Sequence, residues 1–276
     1  MLAYSPTLSR TLSRTLSRTK FEIDIVRDKV RDKGWRREHE ELSMNKKPGT
    51  ELIIAADVST PEEAGELIRA VGPAADWYKV GNQLFTRHGP AAVSVFTNAG
   101  KKVFLDLKFH DIPNTVEQAV RSAAAVGAHM TNVHASGGPS MLHAAARAAQ
   151  DTGILTVAVT VLTSLDEEEL QTVGIEGGPA EQVRRLACLA RNAGLGGVVC
   201  SAHEIALIRH VCGKDFALVV PGIRPLGSQS NDQKRVMTPR DAAQAGASYI
   251  VVGRPVTKAS DPGAAARAIR DELAQA

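Results

Sequence analysis

An acidic and a basic residue stand two positions apart in one apolar stretch of the sequence. Asp106 and Lys108 lie in the segment Val-Phe-Leu-Asp-Leu-Lys-Phe-His-Asp, which runs from 103 to 111. On a β-strand, residues two apart point to the same face. A charged pair in a buried place is costly unless its members pair with each other or act on a ligand. The segment therefore predicts either a catalytic acid–base pair or a purely structural ion pair.

The elements that must position this pair form a regular series. From Glu51 onward, short β-branched or apolar runs alternate with helical patterns, which is typical of βα units and a parallel sheet. The predicted strands are Leu52–Ala56, Trp77–Val80, Val103–Leu107, Met130–His134, Ile154–Val161, Gly197–Cys200, Ala217–Val220 and Tyr249–Val252. The predicted helices include Thr115–Val126, Ser140–Ala149, Pro179–Asn192 and Pro262–Ala274, and a further helix start is expected at Ser59-Thr60-Pro61-Glu62-Glu63.

Eight such units predict an α/β fold of the (β/α)8 TIM-barrel type, with a doubly wound sheet as the alternative. In a TIM barrel the active site lies at the carboxyl ends of the strands, and phosphate often binds after strands 7 and 8. Arg224 follows predicted strand 7, and Gly253-Arg254 follows predicted strand 8. Glycine lets the backbone approach an anion, and the guanidinium fork matches phosphate oxygens. We therefore expect a phosphate-bearing ligand at this end of the barrel.

The first 48 residues read differently from the rest and are expected to be a disordered or extraneous extension. They contain a tandem Thr-Leu-Ser-Arg repeat from Thr7 to Arg18, followed by a mixed-charge stretch with few apolar residues. The basic, hydroxyl-rich start resembles a transit peptide. Met44, just ahead of the first predicted strand, favours translated upstream sequence instead. The single folded domain is predicted to span residues 49–276.

Charge and composition exclude several classes of function. The net charge is +3, but residues 1–48 carry 12 Lys and Arg against 7 Asp and Glu, and the remainder carries 21 against 23. The predicted domain is thus not basic, and nucleic-acid binding is not expected. No apolar run is long enough to span a membrane. The three cysteines, Cys188, Cys200 and Cys212, form no CxxC pair, so a cytoplasmic protein without disulfides or zinc is expected.

The histidines give no sign of a metal site. His129, His134 and His143 fall on different elements without the spacing of a metal-binding motif. His110 is expected to be a loop or packing residue, and Cys200 a small core residue at the end of a strand.

The segment Asp-Leu-Lys-Phe-His-Asp-Ile-Pro-Asn-Thr, from 106 to 115, resembles the hallmark of orotidine 5'-phosphate decarboxylases. About four fifths of the chain follows the same family in order, outside the first 48 residues. Further matching segments are Lys79-Val-Gly, Asn132-Val-His-Ala-Ser-Gly-Gly, Ala158-Val-Thr-Val-Leu-Thr-Ser, Gly197-Val-Val-Cys-Ser, Pro221-Gly-Ile-Arg-Pro, Asp232-Gln-Lys-Arg and Val252-Gly-Arg-Pro. Ala56 departs from the family, which more usually has leucine before the equivalent of Asp57.

The resemblance implies a cofactor-free enzyme that converts orotidine 5'-phosphate (OMP) to UMP and CO2. It implies a charge chain of Lys79, Asp106, Lys108 and Asp111, in which Lys108 protonates the pyrimidine C6. It also implies a homodimer in which Asp111 and Thr115 reach the partner's site. The implied substrate-binding residues are Asp57, Lys79, Thr115, Thr163, Pro221, Arg224, Gln233, Gly253 and Arg254.

Two other classes of function are weighed against this one. A 3-keto-gulonate 6-phosphate decarboxylase shares the acid–lysine–acid pattern but uses Mg²⁺, and His110 to Thr115 favours the orotidine reading. A silent nucleotide-binding barrel or a scaffold would have no need of four clustered charges.

Overall fold

Eight parallel strands close into a barrel in chain order, so the predicted (β/α)8 fold is confirmed and the doubly wound alternative is wrong. The structure is a computed structural model that describes residues 49–225 and 237–276. The predictions for residues 1–48 and for Gln233 lie outside the described residues. The strands are β1 (Glu51–Ala55), β2 (Trp77–Gly81), β3 (Lys102–Phe109), β4 (Met130–His134), β5 (Leu155–Val159), β6 (Gly197–Val199), β7 (Ala217–Pro221) and β8 (Tyr249–Val252).

Helices connect successive strands and cover the outside of the barrel. They are α1 (Pro61–Val71), α2 (Asn82–His88), α3 (Ala91–Thr97), α4 (Pro113–Ala125), α5 (Gly138–Thr152), α6 (Glu167–Thr172), α7 (Pro179–Asn192), α8 (Ile205–Cys212), α9 (Pro239–Ala245), α10 (Arg254–Thr257) and α11 (Pro262–Ala274). The predicted start of α1 is confirmed: Pro61 opens the helix, and the Thr60 hydroxyl accepts a hydrogen bond from the Glu63 backbone N–H at 3.2 Å.

Two layers of apolar side chains hold the fold together. The larger lies between the strands and the helices. The smaller fills the barrel interior and consists of Ile53, Ala55, Trp77, Phe104, Met130, Val157, Val219 and Val251. Because these inward residues close the amino-terminal part of the barrel, only the carboxyl end is left open for a ligand.

Two strands end more than one residue from their predicted ends, and both differences lie at the carboxyl end of the barrel. β5 ends at Val159, two residues early, because Val161 and Thr163 belong to the loop that borders the central cavity. β3 continues to Phe109, two residues late. Its pairing with β4 is irregular: Leu105 pairs with Thr131, but Phe109 pairs with Val133. β3 thus holds two more residues than β4 over this interval.

Candidate active site

Four charged side chains meet at the carboxyl ends of the first three strands. Lys108 Nζ lies 2.6 Å from Asp106 Oδ1, and Lys79 Nζ lies 3.7 Å from Asp106 Oδ2. Lys79 Nζ also lies 3.1 Å from Asp57 Oδ1. The side chains therefore form an alternating row of acid, base, acid and base across β1, β2 and β3. The structure brings Lys108 and Lys79 together on Asp106. The spacing of Asp106 and Lys108 predicted the first pairing, and the family resemblance implied the second.

Asp106 is the most enclosed member of this row. Its side chain and that of Lys79 are each 14% exposed, against 31% for Lys108 and 63% for Asp57. Burial alone would raise the pKa of Asp106. The charges of Lys79 and Lys108, with hydrogen bonds from Lys108 and Asn132, outweigh burial and hold the pKa of Asp106 below its ordinary value of 3.8. Asp106 is consequently a carboxylate at neutral pH.

The backbone at Lys108 is unusual. Its φ is 54°, and among the described residues it is the only non-glycine residue with a positive φ. This left-handed conformation costs a residue with a side chain roughly 1–2 kcal/mol. Lys108 lies inside the irregular stretch of β3. Its side chain therefore reaches the cavity from a backbone conformation that a regular strand does not have. Backbone strain of this kind is found most often at functional sites.

Two histidines lie beside Lys108. The ring of His134, at the end of β4, lies 5.4 Å from the ring of His110 between centroids. Burial lowers the pKa of His134, and the nearby His110 and Lys108 lower it further, against a smaller opposing effect of Asp106. At neutral pH His134 is therefore uncharged and adds no further positive charge to the row. His110 is exposed and stacks loosely on His134, consistent with the packing role expected from the sequence.

The charged row forms one wall of a cavity of about 200 Å³ at the open end of the barrel. Lys79, Asp106 and Lys108 line this wall. The facing wall is largely apolar and includes Val159, Val161, Leu162, Thr163, Val199, Cys200, Val219, Pro221 and Val251. Cys200 is buried there, as expected, and burial raises the pKa of its thiol. A flat ligand with one charged edge and one apolar face suits these two walls.

A larger cleft, of about 570 Å³, lies on the outside of the barrel. Its lining comes from α5, the start of β5 and the segment from Ala193 to Gly196 that leads into β6. It contains none of the clustered acids and lysines, and it lies at the amino ends of the strands. TIM-barrel active sites lie at the opposite end, so the smaller cavity is the candidate site.

The predicted anion-binding residues lie after β7 and β8. Arg224 is buried, and its backbone N–H donates to the Met237 carbonyl at 3.0 Å. Gly253 precedes α10, which begins at Arg254. A Cβ at Gly253 would lie 3.6 Å from Asp57 Oδ2, so the end of β8 lies beside the end of β1.

Asp111 and Thr115 do not join the charged row in their own chain. Both are exposed, at the end of the segment after β3 and in the first turn of α4. Asp111 Oδ1 accepts a hydrogen bond from the Ile112 backbone N–H at 2.6 Å. Within residues 49–225 and 237–276, no Lys, Arg or His nitrogen lies within 4.0 Å of its carboxylate. The expected four-member chain is therefore present only as Lys79, Asp106 and Lys108 within one subunit.

Two residues of this site carry no role in the sequence-based prediction. Asn132 hydrogen-bonds to both Asp106 and Lys108. Gly81 lies where an added Cβ would sit 3.1 Å from Lys79 Nζ, so a side chain there would crowd the ammonium. Asn132 lies in one of the segments that resemble the family, but only the pairing of β4 with β3 gives it these contacts.

No group of three or more His, Cys, Asp or Glu residues in the described part of the chain could hold a metal ion. No helix among those same residues combines the length and the apolar character that crossing a bilayer requires.

Comparison with known proteins identifies the family of this chain. The model of the Orotidine 5'-phosphate decarboxylase / HUMPS family matches residues 50–269. The chain belongs to this family. The match covers all eight strands and every charged residue of the site described above.

The match between this chain and its named relatives spans nearly the full length of those relatives. The chain is 51% identical over 242 residues to the orotidine 5'-phosphate decarboxylase of Moorella thermoacetica, covering 85% of this chain and 95% of that protein. It is 53% identical over 223 residues to the protein of the same name from Anaeromyxobacter sp., covering 81% and 98%. The crystal structure of orotidine 5'-phosphate decarboxylase from Lactobacillus acidophilus matches with a TM-score of 0.73 and 38% identity, covering 81% of this chain and 99% of that one.

Proposed function

We propose that this protein is an orotidine 5'-phosphate decarboxylase that converts OMP to UMP and CO2 in pyrimidine biosynthesis. The observation that carries the proposal is the row of Lys79, Asp106 and Lys108 on one wall of the cavity. Family membership, and relatives of that name at about 50% identity, support it.

The reaction needs a cation beside the atom that loses CO2. When the bond between C6 and the carboxylate carbon breaks, its electron pair stays on C6, where conjugation gives little relief. An ammonium held next to C6 stabilises this charge and then gives it a proton. Lys108 is the proposed donor, because its Nζ is fixed by Asp106 at 2.6 Å and faces the cavity. Transfer of that proton to C6 completes UMP.

Asp106 has two proposed roles. It holds the Lys108 ammonium in place, and it lies near the departing carboxylate. Its lowered pKa keeps it ionised, so a substrate carboxylate placed beside it meets a like charge that disappears as CO2 leaves. Lys79 balances Asp106 from the other side and keeps the buried carboxylate paired.

The remaining substrate contacts are assigned to residues around the carboxyl end of the barrel. Asp57 and Lys79 are proposed to bind the ribose hydroxyls, and Thr163 and Pro221 to contact the base. The phosphate is assigned to Arg224, Gln233, Gly253 and Arg254. The start of α10 at Arg254 supports this assignment, because helix N-termini and arginine forks both favour phosphate.

The active form is proposed to be a homodimer in which Asp111 and Thr115 enter the partner's site. Their exposure, and the lack of an ion pair for Asp111 with the described residues of its own chain, support this proposal. Two-fold symmetry would make each subunit supply both residues to the other. No membrane and no nucleic acid is involved, and a cytoplasmic location is proposed.

The reaction is proposed to need no cofactor, which separates it from the Mg²⁺-dependent decarboxylation of 3-keto-gulonate 6-phosphate. The purified protein should consume OMP in a spectrophotometric assay and form UMP in equal amount. Activity should survive EDTA, and 3-keto-gulonate 6-phosphate should give no turnover. A folded protein that leaves OMP unchanged would contradict the proposal.

A further inference from the structure

The side chain of Asn132 connects the backbone of Lys108 to the carboxylate of Asp106. Asn132 Oδ1 accepts a hydrogen bond from the Lys108 backbone N–H at 2.8 Å. Asn132 Nδ2 donates to Asp106 Oδ1 at 2.7 Å. The same Asp106 oxygen accepts from Lys108 Nζ at 2.6 Å. One amide therefore fixes both the main chain of the lysine and the acid that holds its ammonium.

The backbone around Lys108 needs such a partner. Regular pairing between β3 and β4 is interrupted from Leu105 to Phe109. The Lys108 N–H lies inside this gap, and a buried N–H without an acceptor costs about 1–3 kcal/mol. The Asn132 side chain replaces the missing strand–strand hydrogen bond. It thereby stabilises the left-handed conformation at Lys108, whose φ is 54°.

Asn132 itself stays out of the cavity. It is 0% exposed and is not among the residues that line the cavity. Its contacts to Lys108 and Asp106 leave it no direct role in binding a ligand there. An amide accepts through its oxygen and donates through its nitrogen without adding a charge, as these two contacts require.

We propose that Asn132 is a positioning residue for proton donation, one that orients Lys108 and Asp106 without touching the substrate. The proposal rests on the proposed function, since it assigns Asn132 a part in that reaction. The competing interpretation is that Asn132 only ties β4 to β3.

A neighbouring residue provides a matched control for that interpretation. Thr131, also 0% exposed, donates its hydroxyl to the Leu105 carbonyl at 3.0 Å. Thr131→Val thus removes a buried side-chain bond between the same two strands, one residue away and on the outer face. Any loss caused by weaker strand pairing alone should appear in Thr131→Val as well.

The first test compares Asn132→Ser with Thr131→Val in the full-length protein. Serine is too short to keep either bond, so we expect kcat for OMP to fall about ten- to a hundredfold, the usual effect of losing a hydrogen bond to a charged group. KM should change less than about threefold, because Asn132 does not line the cavity. Thr131→Val should lower the thermal midpoint but keep kcat within about threefold of wild type.

The second test uses Asn132→Asp, which keeps the acceptor for the Lys108 N–H but places a carboxyl against Asp106. The titratable groups around Asp106 are Lys79 on β2 and Lys108 on β3, with Asp57 after β1 behind Lys79 and the neutral His134 on β4. The described residues of β5 to β8 present the apolar wall. Two carboxylates this close share a proton with a raised pKa. When protonated, the introduced carboxyl can donate to Asp106 as the amide does. The kcat of Asn132→Asp, relative to wild type, should therefore rise as pH falls from about 8 to 5.

Several results would overturn the inference. The first three are a folded Asn132→Ser enzyme with kcat near wild type, an equal loss of kcat in Thr131→Val, and relative activity of Asn132→Asp that falls with falling pH. Failure of both Asn132 variants to fold while Thr131→Val folds would make Asn132 a folding residue and would also overturn it. Wild-type protein without OMP turnover would instead contradict the proposed function.

Discussion

Asp106 carries two ammonium groups on one carboxylate, one at each oxygen. The two lysines differ in their other contacts and in their exposure. Lys79 also contacts Asp57 at the rim, whereas Lys108 is the more exposed of the two and borders the centre of the cavity. The proposed chemistry therefore depends on Lys108, and the balance of charge around Asp106 depends on both lysines.

Lys108→Ala should abolish decarboxylation while the barrel stays folded. Among the described residues no other ammonium lies as close to Asp106 as the 2.6 Å of Lys108, so the carbanion would lose both its counter-charge and its proton source. Turnover of OMP and far-UV circular dichroism are the measurements. Lys102→Ala is the control: Lys102 lies on the same strand at the opposite end of the barrel, over the Trp77 ring at 5.3 Å. Near-normal turnover by folded Lys108→Ala protein would contradict the role.

The lowered pKa of Asp106 predicts how stability depends on pH. A carboxyl whose folded pKa lies below its unfolded value near 3.8 stabilises the protein above that value, and this contribution is lost as pH falls through the folded pKa. Asp106→Asn lacks it. The free energy of unfolding of wild type minus that of Asp106→Asn should be constant from about pH 8 to 5 and should shrink below about pH 4. A difference that grows on acidification would show that the pKa is raised instead.

At the scale of elements, Arg209 on α8 secures the amino ends of β7 and β8. Its guanidinium donates to the Gly246 carbonyl at 2.9 and 2.7 Å, to the Phe216 carbonyl at 2.6 Å and to Ser248 Oγ at 3.0 Å. These acceptors belong to the end of α9 and to the residues just before β7 and β8. The arginine therefore stabilises the amino ends of the two strands whose carboxyl ends carry the proposed phosphate site.

Arg209→Met should lower the free energy of unfolding by about 2–4 kcal/mol, because several backbone carbonyls would lose a charged donor. Arg209→Lys should recover only part of the loss, since an ammonium cannot span the same set of acceptors. Denaturant unfolding measures both. Arg185→Met is the matched control: its exposed pair with Glu181 on α7 contributes about 0.5 kcal/mol or less. Equal effects at the two arginines would contradict this role.

Sequence periodicity predicts the elements well and their irregularities poorly. Six of the eight predicted strands end within one residue of the observed bounds, because buried parallel strands need β-branched apolar runs. The end of β3 is predicted two residues too early, because its extra residues and the left-handed Lys108 depend on Asn132 across the strand pair. The same limit applies to the site. The spacing of Asp106 and Lys108 predicted their pairing, but no local signal marks Asn132 or Gly81.

At the scale of the whole molecule, the proposed sharing of the site between subunits can be tested by mixing two inactive variants. Lys108→Ala and Asp111→Ala homodimers should both be inactive, but one site of each mixed dimer would then carry both lesions and the other neither. Full exchange at equal ratio should restore about a quarter of wild-type activity. Exchange is checked with differently tagged subunits. No recovery despite exchange would mean that Asp111 acts in its own subunit.

Deletion of residues 1–43 should leave activity and the thermal midpoint unchanged. These residues lack the apolar periodicity needed to pack against a barrel, and the family match begins only at residue 50. OMP turnover and thermal unfolding of the truncated and full-length proteins are the comparison. A truncated protein that is inactive or less stable would make this segment part of the fold.

The left-handed backbone at Lys108 has a consequence for engineering. Glycine adopts a positive φ without a steric penalty, so at position 108 the backbone favours a residue that the proposed chemistry cannot use. A selection for thermostability alone should therefore enrich glycine at position 108. The selected protein would be more stable but would lack the proposed proton donor. Efforts to stabilise this protein need to hold position 108 fixed and look for gains at the amino end of the barrel.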